Sequence, residues 1–322
     1  MNTLSLNERR RATYDLNLLR RWRFVSIGCG GSAACAQEVA RAGIHDFVLI
    51  DPDTVSEGNL ATQAFFRSDI GQPKVECLAR RILDINPCAS VVRYQKWLDD
   101  ISDIEFQSLL WRPPDELSHG CPLQKPVLLC GFTDSFQAQA RINRLALHFA
   151  VSSLCAQHHR EARTSEVTFT HPELTPACHR CILSKRYAAD ALGENTNIAS
   201  TGAPVCCVSR LNSLSAFVAL MLLHTTSSHP RWTGLLKRIA TRNLAMIRHD
   251  PDVETTLGVH AFTKSLIGST SEAWFADETI WRPQKPECPA NGYPPCPDCG
   301  GSGDLRALAG TFSDTRLIRP QP

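Results

Sequence analysis

VSIGCGGSAACAQEVARAGIHDFVLIDPDTV, residues 25–55, decides how the chain is read. An apolar run over 24–27 ends in glycine and reads as a buried strand. Residues 32–41 open on Ser32, an N-cap type of residue, are rich in alanine and stop before Gly43, which predicts a helix. A second apolar run over 47–50 predicts another strand. Strand, helix and strand in this order form a βαβ unit, and such units build parallel sheets with right-handed crossovers. Gly28, Gly30 and Gly31 lie between the first strand and the helix. Glycine lets a backbone approach a phosphate, and a helix N-terminus adds free N–H groups and the positive end of its dipole. Asp51 ends the second strand, where a carboxylate accepts hydrogen bonds from ribose hydroxyls. Three uses fit this loop: the pyrophosphate of a nicotinamide or flavin cofactor, the triphosphate of ATP, or a strand–helix turn without ligand.

The rest of the chain narrows the choice. With 322 residues, 43% apolar and 20% charged, it has the composition of a globular protein with a substantial core. A formal net charge of +2 gives no bulk attraction to nucleic acid or to an anionic membrane, and neither is expected as a partner. The N-terminus has no apolar run of the signal-peptide kind. The apolar stretch 211–223 contains Asn212, Ser213 and Ser215, and reads as a buried helix too short to span a bilayer. Fourteen cysteines without an export signal predict a cytoplasmic protein whose thiols are free, metal-bound or nucleophilic. Residues 1–23 read as a basic helical arm. A helix is expected over 74–85, stopped by Asn86-Pro87, then a strand over 90–94. Residues 98–125 read as a loop with one helical turn. A fourth strand follows over 127–130, a long helix over 135–151 and an edge strand over 164–170. Segment 225–290 carries no legible pattern, and 283–297 is proline-dense and irregular.

The order of motifs after the glycine loop is distinctive. Gly28/Gly30/Gly31 are followed by Asp51/Asp53/Val55, Asn59/Leu60/Gln63, Gly71/Lys74 and Asn86/Pro87, then by Thr133-Asp134 after a strand. In this the chain resembles the ThiF/MoeB/HesA adenylyltransferases, relatives of the ubiquitin-activating enzymes. The resemblance implies an α/β fold: a Rossmann-like, doubly wound, mostly parallel sheet with a C-terminal antiparallel part and a four-cysteine zinc knuckle. It implies one adenylation domain over 1–322, with an arm over 1–23, a nucleotide-binding core over 24–170 and a zinc-bearing part over 171–322, of which 225–290 is atypical of the family. It further implies MgATP held by Gly28, Gly30, Gly31, Asp51, Asp53, Asn59, Gln63, Lys74 and Asp134. The substrate would be the C-terminal glycine carboxylate of a small ubiquitin-like or sulfur-carrier protein, and the assembly a homodimer. The alternatives are a non-catalytic half of a heterodimer, or an activator of a small-molecule or tRNA carboxylate. The nicotinamide reading leaves the later motifs unexplained.

The chemistry agrees with the resemblance. Bringing a carboxylate to ATP joins two anions, so cations must face the α-phosphate. Lys74 opens a helix after a Gly-Gln-Pro turn and suits that role; Asp134 ends a strand and suits magnesium or an N-cap. The family's Asn-Leu-x-Arg-Gln reads Asn59-Leu60-Ala61-Thr62-Gln63 in this chain. Losing a charge-assisted phosphate contact costs about 1.5–3 kcal/mol. Arg67 is the substitute in the same chain. Arg9, Arg10, Arg11, Arg20 and Arg21 are candidates to reach across a dimer, as an arginine of that region does in the family. Catalysis is thus assigned to Lys74, Asp134 and Arg67.

Cys178/Cys181 and Cys296/Cys299 are two C-x-x-C pairs, the half-sites of a closed structural zinc centre, with Gly300 and Gly301 behind the second. Cys206 and Cys207 read as small residues packed in a buried helix start, and Cys288 as a loop thiol; any of the three is a possible acyl acceptor.

Overall fold

In the computed structural model, residues 6–111, 125–159, 161–194, 197, 202–249, 278–287 and 294–317 are described. Helices α1 (Leu6–Arg11) and α2 (Leu16–Leu19) precede β1 (Arg23–Ile27), α3 (Ala33–Ala42), β2 (Asp46–Ile50), α4 (Lys74–Ile85), β3 (Ser90–Tyr94) and α5 (Asp103–Leu110). Then come β4 (Val127–Gly131), α6 (Phe136–His148), β5 (Ser152–His159), β6 (Thr164–Thr170), α7 (His179–Ile182) and α8 (Ser184–Ala191). Long helix α9 (Val205–Leu223), α10 (Leu235–Ile239), β7 (Leu244–Arg248) and β8 (Glu278–Arg282) complete the order.

The eight strands form one sheet in the order β3-β2-β1-β4-β5-β6-β7-β8. The first five are parallel, and β6, β7 and β8 join antiparallel. Both faces are covered, as parallel strands require. On one face Phe24, Phe47 and Leu49 pack with α3, α4 and α9; on the other Val25, Val48 and Leu129 pack with α5 and α6. This is the doubly wound α/β arrangement with an antiparallel extension that the sequence predicts.

Several local expectations change. Strand β6 is no edge: all seven of its residues are buried, because β7, from the illegible segment, pairs along it. Strand β5 was unforeseen, since SSLCAQHH is neither an apolar run nor an alternation; α6 ends at His148 and Ala150 turns the chain at φ 49°. Residues 103–110 form a full helix capped by Ser102, whose side chain accepts from the Glu105 N–H at 3.1 Å. The arm is broken into two short helices, and Arg23 belongs to β1, where its guanidinium meets both oxygens of buried Asp46. Helix α9 starts at Val205 and has 19 residues, long and apolar enough to cross a bilayer. In the fold Val218, Ala219 and Leu222 of α9 are in the core.

The turn after β1 fixes where a ligand can sit. Gly28 has φ +94°, and a β-carbon there would lie 2.1 Å from the Phe132 carbonyl oxygen. Gly31 has nothing within 4 Å of the same position. Gly28→Ala should therefore destabilise the chain by about 3 kcal/mol or more, and Gly31→Ala by less than about 0.5 kcal/mol, measured by denaturant unfolding.

Candidate functional site

The carboxyl ends of β1, β2, β4 and β5 open into a cleft of about 460 Å³, at the edge of the sheet where ligands of open α/β folds bind. Gly28 is pinned by its N–H to the Ile50 carbonyl at 2.8 Å, while Gly30 and Gly31 line the cleft. Asp51 braces the loop: one oxygen accepts the Cys29 N–H at 2.7 Å and the other the Asp53 N–H at 2.9 Å. Burial raises the Asp51 pKa, and those N–H bonds oppose the shift. Lys74 is buried, and its Nζ meets Asp53 Oδ2 at 2.8 Å. Both line the cleft, as does Gln63, whose Oε1 is buried without a partner.

Asp134 also lines the cleft and is exposed. The N-cap of α6 is Ser135, whose hydroxyl accepts from the Ala138 N–H at 3.3 Å. Asp134 is thus not the cap, and its carboxylate stays available to a ligand. Asn212 reaches over from α9: its Nδ2 donates to the Gly31 carbonyl at 2.7 Å and its Oδ1 accepts the Cys35 N–H at 3.1 Å. It supplies the cap that Ser32 does not, because the Ser32 hydroxyl caps nothing.

Other expected residues lie apart. Asn59 is not in the lining; its Oδ1 accepts the Ser56 N–H at 2.9 Å and closes the 3-10 turn Glu57–Ala61. Arg67 is exposed at the start of the 3-10 turn Arg67–Asp69, also outside the lining, whereas Thr62 is in it. Arg10 is buried against α3, with Nε on the Arg41 carbonyl at 2.7 Å and Nη2 on the Ala40 carbonyl at 3.2 Å. Arg9, Arg11, Arg20 and Arg21 are exposed. Lys96, His158 and Asn212 also line the cleft, and no motif in the sequence marks them as site residues. Lys96 lies just beyond β3 and His158 near the end of β5, and no spacing in the chain announces them.

The two cysteine pairs meet. Cys178, Cys181, Cys296 and Cys299 are buried with all four Sγ atoms within 4.8 Å of one another. The Cys178–Cys181 and Cys178–Cys296 separations are 3.8 Å, and Cys181–Cys299 is 3.5 Å. Four thiolates about 2.3 Å from a tetrahedral zinc stand about 3.8 Å apart, so the donor set fits that ion with no position left for substrate. The knuckle is fastened to α6. Asp298, fully buried between the last two cysteines, accepts from Asn143 at 3.0 Å and pairs with Arg144 at 3.1 Å and Arg180 at 3.2 Å. Cys206 is exposed and Cys207 half-buried in the first turn of α9, which corrects the expectation of a packed helix start. The apolar side of that helix turns inward only from Val208 onward. Cys288 lies outside the described residues.

The profile of the ThiF family matches residues 9–255. The molybdopterin-synthase adenylyltransferase of Salmonella typhimurium is 28% identical over 212 residues, 62% of this chain and 72% of that protein. The tRNA threonylcarbamoyladenosine dehydratase of Bacillus subtilis is 34% identical over 94 residues, 29% of this chain and 37% of that protein. Escherichia coli MccB, solved with AMPCPP and MccA, superposes with a TM-score of 0.54 at 18% identity, over 72% of this chain and 61% of that one. At that identity the likeness is one of fold.

Elemental analysis of protein purified without chelators should find one zinc per chain. Cys178→Ser should lose it and lower the unfolding midpoint by about 10 °C, as a loss of several kcal/mol does in a chain of this size. A metal-free wild type would contradict the assignment.

Proposed function

The chain belongs to the ThiF family, and on that premise we propose that it uses MgATP to adenylate the C-terminal carboxylate of a small ubiquitin-like or sulfur-carrier protein. The observation that carries this reading is the convergence of the glycine loop, Asp51, Lys74 and Asp134 on one cleft. The cleft also suits a phosphorylated nucleotide on its own terms. It has open space over Gly31, an unpartnered buried Gln63 oxygen and an uncommitted Asp134 carboxylate.

In this reaction a carboxylate oxygen bonds to the α-phosphorus, the bond from that phosphorus to the β-phosphate bridge breaks, and pyrophosphate leaves an acyl-adenylate behind. No side-chain base is required, because the attacking carboxylate is ionised at neutral pH. The glycine loop offers backbone N–H groups to the phosphates, and Asp51 anchors the ribose end. Lys74 neutralises charge at the α-phosphate, with Asp53 holding its ammonium in place. Asp134 would hold magnesium, which supplies positive charge against the polyphosphate. Cys178, Cys181, Cys296 and Cys299 would hold zinc as a structural ion, fastening the knuckle to α6 with no open position for the chemistry. A homodimer, with an arm arginine such as Arg9, Arg11, Arg20 or Arg21 reaching the partner's cleft, and a cytoplasmic location complete the reading.

One observation favours a second reading, a non-catalytic subunit of a heterodimer: Thr62 faces the cleft and Arg67 does not. The same assay separates the two. Wild type should exchange labelled pyrophosphate into ATP when offered a carrier ending in Gly-Gly. Lys74→Ala and Asp134→Ala should each lower the rate by about a hundredfold or more. Undiminished exchange in both variants would remove the assigned roles. Exchange supported by a small carboxylic acid or a tRNA, and by no carrier, would move the substrate class.

A further inference from the structure

The cleft is short of positive charge for the ligand assigned to it. Its lining holds four carboxylates, Asp51, Asp53, Asp99 and Asp134. Against them stand two lysines, each already paired: Lys74 with Asp53 at 2.8 Å and Lys96 with Glu105 at 2.9 Å. Among the described residues no arginine lines the cleft. Beyond the loop N–H groups, the paired Lys74 and the magnesium that Asp134 would hold, His158 is the remaining lining residue able to become a cation for a polyphosphate.

His158 is built for that change. It is the last but one residue of β5, next to the strand that leads to Asp134 and on the far side of the glycine loop from Asp51; with the ribose at Asp51, as proposed, the phosphates would extend toward it. Its Nδ1 lies 2.7 Å from Ser165 Oγ, and the same hydroxyl lies 2.7 Å from His249 Nε2. Ser165 is fully buried and has one proton to give. Two assignments satisfy the chain: His158 Nδ1–H donates to Ser165 and Ser165 O–H to His249, or His249 Nε2–H donates to Ser165 and Ser165 O–H to His158. In the first, His158 Nε2 carries the lone pair and makes no hydrogen bond with a described residue, and the ring belongs to the cleft lining. In the first assignment protonating Nε2 disturbs none of these bonds, because Nδ1 is a donor in both states; in the second the His158–Ser165 bond reverses, with the hydroxyl oxygen accepting from the protonated ring.

We infer that His158 takes up a proton when the polyphosphate of the nucleotide binds, and serves as the phosphate cation that Thr62 does not provide. The inference rests on the ATP reading. Without ligand the ring is neutral: burial first, then His249 and His159, hold its pKa down to about 4. The titratable groups acting on it from β5 and from beyond β7 are thus both histidines, and the hydroxyl of Ser165 faces it from β6. An anionic ligand reverses the balance and raises that pKa. Because the bound-state pKa is the higher one, binding takes up protons between the two values. Affinity is fullest at low pH and falls as pH rises through the bound-state pKa.

Isothermal titration of the full chain with magnesium and AMPCPP, in buffers of different ionisation enthalpy, measures this uptake directly. Wild type should take up close to one more proton per site at pH 6.5 than His158→Gln. Its affinity should weaken by up to about tenfold per pH unit across the transition, and the variant's curve should be flatter. Equal proton uptake and parallel pH curves in the two proteins would overturn the inference. A folded, zinc-replete wild type that binds no AMPCPP would instead overturn the ATP reading. If His158→Gln does not fold, carbethoxylation of wild type with diethyl pyrocarbonate, read by mass spectrometry, takes its place. AMPCPP should slow modification at His158 by tenfold or more, as protonation and occlusion of Nε2 require; an unchanged rate would overturn the inference.

Discussion

At Gly28 the backbone passes so close to the Phe132 carbonyl that no β-carbon fits between them. That approach joins the ends of β1 and β4, which also share a bond from the Phe132 N–H to the Ile27 carbonyl at 2.7 Å. With β2 held by the Gly28 N–H, the neighbouring strands end together, and the cleft lies over their ends. The glycine loop, Asp51 and Asp134 face one another because of this constraint, although they come from distant parts of the sequence. Asn212 completes it from α9, holding the Gly31 peptide and the first turn of α3 in one grip.

Electrostatics then decides what the cleft can hold. A polyphosphate needs donors and cations, and water must be displaced from both partners. Backbone N–H groups meet part of the need at no cost in side-chain entropy. The lysines of the lining are spoken for by Asp53 and Glu105, so each is well positioned but partly neutralised. The proposed chemistry therefore depends on groups that change when the ligand arrives: Asp134 on gaining magnesium, and His158 on gaining a proton. The buried Asp298 cluster with Arg144 and Arg180 fastens the knuckle to the same helix that follows Asp134.

Much of this was legible before the structure. Helix α4 and strand β3 lie where the pattern put them, because an apolar stripe, Asn86-Pro87 and a β-branched run are local signals. The convergence of two distant C-x-x-C pairs followed from the donor chemistry of thiolates. Strand β5 was hidden because its polar residues are satisfied across the sheet rather than by water: Ser153 meets Thr170, Gln157 meets Glu166, and His158 meets Ser165. Strands β7 and β8 were hidden in a segment without clear periodicity. Asn59 and Arg67 share the motif's spacing, yet one is used in a local turn and the other faces solvent. Sequence order carries no information about which side of a 3-10 turn meets the cleft.

The central claim is that this cleft holds ATP with its phosphates on the glycine loop. A crystal structure of the chain grown with magnesium and AMPCPP tests it most directly. The ribose should lie at Asp51, the phosphates over Gly30 and Gly31 within reach of Lys74, and the metal on Asp134. A nucleotide bound elsewhere, or a cleft that stays free of it at saturating concentration while a dinucleotide cofactor enters, would contradict it.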